Sequence, residues 1–297
     1  MANSIALAEK FLPILDEVYK SASVTAFLDS QIRQLDHSAA NEVQIFKTSM
    51  VGMGTYDKAT GYPAGDVTGA WETIQLTKSR GRAFSIDRMD NEETLGMAFG
   101  TLAGEYIRTA VVPEIDASRF AAWAGTANIQ TIAGAALSSA GDVLAAIDVA
   151  AQKLDDEDVP LEGRSLFISS ALWRLLNASV TRSLTNEGEF DRRLGRLDEM
   201  NVVRVPAGRF YTQVTLDAGD TSGAGGFSKT ASTGCNINFM LVHNQAIWQA
   251  VKLNSLKIFT PDENQTADAW LFQHRAYHDA GAYGNKVKGI YLHKSNA

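Results

Sequence analysis

GAWETIQLTKSRGRAFSIDRMDNEETLGMAFGTLAGEYIRTAVVPEIDASRFAAWAG, residues 69–125, decides the fold. Its first half reads as extended chain and its second as one very long helix. Between Thr73 and Arg88, Ile74, Leu76, Phe84 and Ile86 take even positions, with Gln75, Thr77, Ser85 and Asp87 between them. That is the period of a strand. Lys78, Arg80, Gly81 and Arg82 interrupt the pattern at its middle. A segment apolar at both ends and basic in between does not bury its centre in its own core. The ribbon is therefore expected to project and meet another surface.

The helix is predicted to begin near Asp90 or Asn91, either of which can cap it, with Glu92 and Glu93 suiting its positive end. Leu95, Phe99, Leu102 and Tyr106 recur at i, i+4, i+7 and i+11, and Ile107, Val111 and Ile115 follow at a spacing of four. Pro113 should kink or split the helix. Phe120 and Trp123 resume the stripe, and Gly125 ends it. At ~1.5 Å per residue this is a spine of roughly 50 Å.

The 297 residues, 45% hydrophobic and 21% charged, have the composition of a globular chain. No apolar run is long enough to cross a membrane. The first residues, with Glu9, Asp16 and Glu17, do not read as a leader. The single cysteine, Cys235, excludes an intrachain disulfide and a cysteine-clustered zinc site and suggests a reducing cytosol. A net charge of −7 argues against nucleic-acid binding over the whole surface.

Residues 1–41 suggest two amphipathic helices, read either as core or as an arm on a neighbour. Val43 and Ile45 mark a short strand, and the glycines between 52 and 69 mark a long connector. Residues 43–50 and 73–88 could pair as a hairpin, which is marginal in water unless supported. Residues 126–139 read as a small-residue linker. A helix opens at Gly141 and Asp142, residues 164–169 form a buried strand, and a short helix follows, the rhythm of an α/β unit. Residues 181–201, with Arg192, Arg193 and Arg196, read as a charged loop, alternatively as an inter-subunit contact. Residues 237–243 form a central strand, 244–251 a short helix or turn, and 253–259 a strand. The segment from Ala267 to Lys294 alternates as strand.

Three constellations were weighed for chemistry. His274 and His278 lie four apart near Asp268 and Asp279, but position 275 is Arg and the segment reads as strand, so no metal site is expected. Cys235 has only His243 nearby and no nucleophile elbow. Gly223, Gly225 and Gly226 do not lead into a helix, so no phosphate cradle follows. No catalytic, cofactor or metal residue is assigned, and the chain is not expected to be an enzyme.

This order of elements resembles the HK97-fold major capsid proteins of tailed bacteriophages, an α+β fold. AVVPEIDASRFAAWAG (110–125) is similar to the end of their spine helix, and DAWLFQHRAYHDAGAYGNKVKGIYLHK (268–294) to the closing segment, in a group from phages and prophages of Gram-positive hosts. The resemblance covers about residues 40–294. It implies an N-terminal arm (1–41), an extended E-loop (42–89), a peripheral domain with the spine (90–139 and 251–297) and an axial domain (140–250). It implies self-assembly through pentamers and hexamers into an icosahedral head in the bacterial host cytoplasm. The same family pattern brings a portal, weak contact with packaged double-stranded DNA, no membrane and no cofactor. Because the chain starts close to its arm, a separate scaffolding protein is implied. The alternatives are an encapsulin-type nanocompartment shell, or a soluble α/β enzyme with an unrecognised site.

On this reading Lys78, Arg80 and Arg82 dock on an acidic patch of a neighbour, Asp155 to Asp158 or Glu187 to Asp191; the alternative is solvated loop charge. Trp71 and Phe84 anchor the ribbon on the next subunit, or else pack beneath it. The glycine-rich 52–69 segment and the 126–139 linker are candidate hinges.

Overall fold

The quoted stretch divides at Leu76. Strands β1 (Glu42–Met50) and β2 (Val67–Gln75) form a two-stranded antiparallel ribbon, with Phe46 opposite Trp71. Strand β3 (Lys78–Asp87) belongs to a different sheet. The protein is seen here as a computed structural model that describes residues 23–29, 42–93, 97–134, 137–179, 183–184, 190–191, 196–221 and 224–295. Most of the arm, 1–22 and 30–41, lies outside the described residues, as do Arg192 and Arg193.

The basic middle of the ribbon does not project, contrary to the sequence expectation. The alternation runs unbroken through β3: Lys78, Arg80, Arg82, Phe84 and Ile86 all turn inward, and the residues between them face solvent. A charged side chain can take an inward position when its head finds an opposite charge and its stem packs. Lys78 pairs with Asp279 and Arg80 with Glu114. The hairpin partner of 42–50 is therefore 67–75 alone.

The spine comprises α1 (Arg88–Glu93), α2 (Met97–Tyr106) and α3 (Val112–Ala124). Pro113 does not split it. The five residues Ile107–Val111 wind as a π-helix, and the Val112 amide reaches back to the Ile107 carbonyl. This wider turn accommodates a ring that would otherwise press on the carbonyl four residues back. At Gly125 the amide bonds the Ala121 carbonyl and the helix stops.

The main sheet holds β4 (Gln130–Ala133), β5 (Arg164–Ser169), β6 (Met200–Val205), β7 (Ile237–His243) and, after two longer strands, β10 (Ile290–Lys294). Its order is β4–β10–β7–β5–β6, with Arg196–Leu197 at the far edge. The β4–β10 and β5–β6 pairs are parallel and the rest antiparallel. Strands β8 (Ile247–Phe259) and β9 (Ala269–Ala282) pair along their length, and β9 also carries β3.

Three sequence expectations are corrected here. Residues 126–139 are not only a linker, because 130–133 adds an edge strand to β10. Residues 247–251 are strand, with only Asn244–Ala246 turning helically. The last strand, 290–294, pairs with β7 and β4 in the main sheet, and not with β8 and β9.

The main sheet buries both faces. Leu166, Ile168, Phe239 and Leu241 pack under α4 (Ala140–Asp155) and α5 (Ser170–Ser179). Phe167, Met240 and Val242, one position along, pack toward Phe120 and Trp123 of α3. Helix α4 starts with a reciprocal cap between Ser139 and Asp142, where the sequence placed its opening. A third, smaller core sets Ile107 and Val112 of the spine against Phe272 of β9, with Phe84 of β3 packed on it.

Candidate functional site

Among the described side chains of the 42–75 ribbon none is buried. Phe46, Met50, Val51, Met53, Tyr56, Tyr62, Val67 and Trp71 are exposed, Trp71 by 65% and Met50 by 72%. The Trp71 and Phe46 rings meet at a tilt, 5.0 Å between centroids, as do Tyr56 and Tyr62 at 5.0 Å, the second pair near the tip. Gly69 makes room for the first pair: a Cβ there would come 2.6 Å from the Phe46 ring. A two-stranded ribbon wet on both faces is marginal alone, and an exposed aromatic row of this kind marks an interaction surface.

The root of the ribbon is fixed. Leu76 is buried in the main core. The Tyr277 hydroxyl donates to the Leu76 carbonyl at 2.7 Å. Asp279 accepts from the Thr77 amide at 3.1 Å and the Thr77 hydroxyl at 2.9 Å, and pairs with Lys78 at 3.0 Å. Burial alone would raise the Asp279 carboxyl; Lys78 and these donors outweigh it and hold the carboxyl below its ordinary value.

A second anchor joins the N-terminal segment to the spine. Asp116, fully buried on α3, accepts from Ser23 Oγ at 2.7 Å, the Val24 amide at 3.1 Å, Thr25 Oγ1 at 2.6 Å and Arg209 at 2.9 Å. Arg119, one turn on, donates to Thr25 Oγ1 at 2.7 Å and pairs with Asp29 at 3.2 Å. The signal was present in EIDASRF: two charges three apart on an otherwise apolar helix face.

A cavity of about 330 Å³ opens between β3, β9, the spine and the loop from Asp217 to Gly226. Arg80 crosses it, bonding both Glu114 oxygens at 2.5 and 3.2 Å and the carbonyls of Asp217 and Gly226. Arg82, Tyr106 and His278 also line it. Burial pushes the Tyr106 phenol up and His278 down, the latter to about 4.

Of the five residues singled out for contact, only Trp71 lies on the exposed ribbon. Lys78 and Arg80 have acidic partners in their own chain, Asp279 and Glu114, and neither is in the patches named from the sequence. In the first patch Asp155 pairs with Arg164 and Glu157 with Lys288, while Asp156 and Asp158 are exposed; Glu187 and Glu189 of the second lie outside the described residues. Phe84 sits edge-on to Tyr106 at 4.9 Å, beneath the spine.

His274 and His278 both line the cavity beside β3. His274 bonds Asn254 at 3.0 Å. Cys235 is buried with its thiol toward the Thr233 carbonyl, and His243 bonds the Glu162 carbonyl at 2.9 Å. Among the described residues no three His, Cys, Asp or Glu side chains form a metal cluster.

No family model matches this chain, and no curated protein does. Solved structures do. The capsid of the cyanophage P-SCSP1u aligns with a TM-score of 0.60 at 15% identity, covering 90% of this chain and 86% of that one. A chain from Mycobacterium phage Che8 aligns at 0.57 and 15%, covering 86% and 85%. A virus-like particle from Pyrococcus furiosus aligns at 0.50 and 11%, covering 93% and 98%. At these identities the likeness is one of fold, and the fold shared is that of phage capsid chains.

Proposed function

We propose that this chain is an HK97-type major capsid protein, a shell subunit and not an enzyme, which tiles with copies of itself in pentamers and hexamers into an icosahedral phage head. The observation that carries this reading is the ribbon of 42–75: long, aromatic, wet on both faces and pinned at its root. A ribbon held rigidly but left uncovered fits a place on a second copy. The fold shared with phage capsids supports the same reading.

In this scheme residues 1–41 serve as the arm, 42–75 with β3 as the E-loop, the spine and the β8–β9 pair as the peripheral part, and the main sheet with its helices as the axial part. Trp71 meets the neighbour directly. Lys78, Arg80 and Phe84 serve that contact by fixing the strand from which the ribbon springs. The finer expectations go with the proposal: double-stranded DNA inside with weak, salt-sensitive wall contacts, a portal and a separate scaffolding protein, assembly in the host cytoplasm, and a Gram-positive host.

The encapsulin-type reading is kept because the virus-like particle from Pyrococcus furiosus shares the fold over nearly its whole chain. Electron microscopy of the purified full chain tests the shell. Hollow particles tens of nanometres across support it, and a small uniform oligomer contradicts it. Nucleic acid against enclosed protein cargo separates the two shells.

A further inference from the structure

The cavity beside β3 has an imbalance of hydrogen-bonding groups. Both Glu114 oxygens are taken by Arg80. The Asp217 carboxylate accepts from the Gly219 amide at 2.7 Å, and its carbonyl accepts from Arg80. The donors are not so matched. Arg82 makes no hydrogen bond or ion pair among the described residues, and neither the Tyr106 hydroxyl nor the His278 ring has a hydrogen-bond partner there. Of the charged residues lining the cavity, Arg80 is bonded to Glu114 and the Asp217 carboxylate is turned to the Gly219 amide, while Arg82 is bonded to no carboxylate among the described residues.

The loop is moulded to that side chain. A Cβ at Gly219 would stand 2.7 Å from Arg82 Nη1, and one at Gly225 3.2 Å from it. Both glycines hold φ in the left-handed half, +76° and +131°, where other residues are strained. Backbone therefore comes close to the guanidinium on the loop side, and the same side chain lines the cavity. A guanidinium offers a planar fork that matches the two oxygens of a carboxylate or phosphate.

We propose that this cavity is an oxyanion-binding site in which Arg82 takes one carboxylate or phosphate group, with the Tyr106 hydroxyl as a further donor. The oxyanion has two sources. It is a free anion such as inorganic phosphate, or it is an aspartate or glutamate of a second copy, in which case the site rests on the shell reading.

The test follows thermal melting of the full chain in sodium phosphate against sodium chloride at equal ionic strength, for the wild type, Arg82→Gln and Arg82→Lys. A free-anion site raises wild-type melting by about 3 °C near saturation. The rise disappears in Arg82→Gln and is smaller in Arg82→Lys, which keeps the charge but not the fork; should Arg82→Gln fail to fold, the lysine variant decides. A site filled by a neighbour gives no such rise, and a density map of assembled particles then shows an Asp or Glu of a second copy against Arg82. The proposal is overturned by an equal rise in the variants. It is equally overturned by no wild-type rise together with particles in which Arg82 meets no carboxylate. If no particles form, the shell reading fails by itself, and the absence of a phosphate rise then overturns the oxyanion site as well.

Discussion

The Tyr277 hydroxyl and the Leu76 carbonyl, 2.7 Å apart, join the middle of β9 to the last buried residue before the chain changes sheet. On one side of that bond lies the ribbon, on the other the strand packed under the spine. The bond sits where a rigid body hands over to an exposed element, so its loss should be felt at the ribbon first.

Tyr277→Phe tests this. Loss of a single hydrogen bond that leaves a carbonyl unsatisfied costs about 1–2 kcal/mol. Global melting should fall by a few degrees, while amide exchange in residues 67–75 should quicken more than in β7. Uniform quickening across both segments would show that the bond serves the whole body equally.

Trp71→Ala should leave the melting of the unassembled chain nearly unchanged, because the ring is largely exposed. If the ring is an interface anchor, particles should lose stability by an amount equivalent to about 2 kcal/mol per contact. Comparing calorimetry of particles and of free subunits checks the split. Equal losses in both would place the ring in the subunit's own packing.

Asp116→Ala leaves the Arg209 cation short of its buried counter-charge and strips the Ser23, Val24 and Thr25 donors of their acceptor. Breaking a buried ionic network of this kind costs about 3–5 kcal/mol. Limited proteolysis should then cut within 23–29 before any cut in the main sheet.

Acid should weaken the fold through His278. Burial, reinforced by Lys78, Arg119 and Arg80 and opposed by Asp279, lowers it from 6.5 to about 4. The unfolded chain takes up this proton near pH 6.5 and the folded chain only near 4. Stability is therefore full above pH 6.5 and falls as pH drops toward 4, by about 3 kcal/mol. His243, His274 and His293 are also held low by burial and act in the same direction. Chemical denaturation from pH 7 to 4.5 should show the loss, and His278→Gln should flatten part of it.

The local patterns were legible wherever a residue's neighbours in sequence are also its neighbours in space. The alternation of Ile74 to Ile86, the stripe of the spine, the Gly125 stop and the helix opening near Gly141 and Asp142 could all be read directly. What escaped depends on distant partners. Lys78 and Arg80 looked unburiable because their counter-ions, Asp279 and Glu114, lie far along the chain. Gln130–Ala133 looked like a linker because its strand character comes from β10, about 160 residues later. Pro113 looked like a break because a π-turn has no sequence period of its own. The cavity was missed for the same reason, being assembled from β3, β9, the spine and a loop.

Strand β10 lies between β4 and β7, inside the main sheet and not at its edge. During synthesis, β4, β5, β6 and β7 all leave the ribosome before residues 290–294 do, and β4 has no place in the sheet until then. The body that holds the ribbon is thus completed only when the C-terminal strand is delivered.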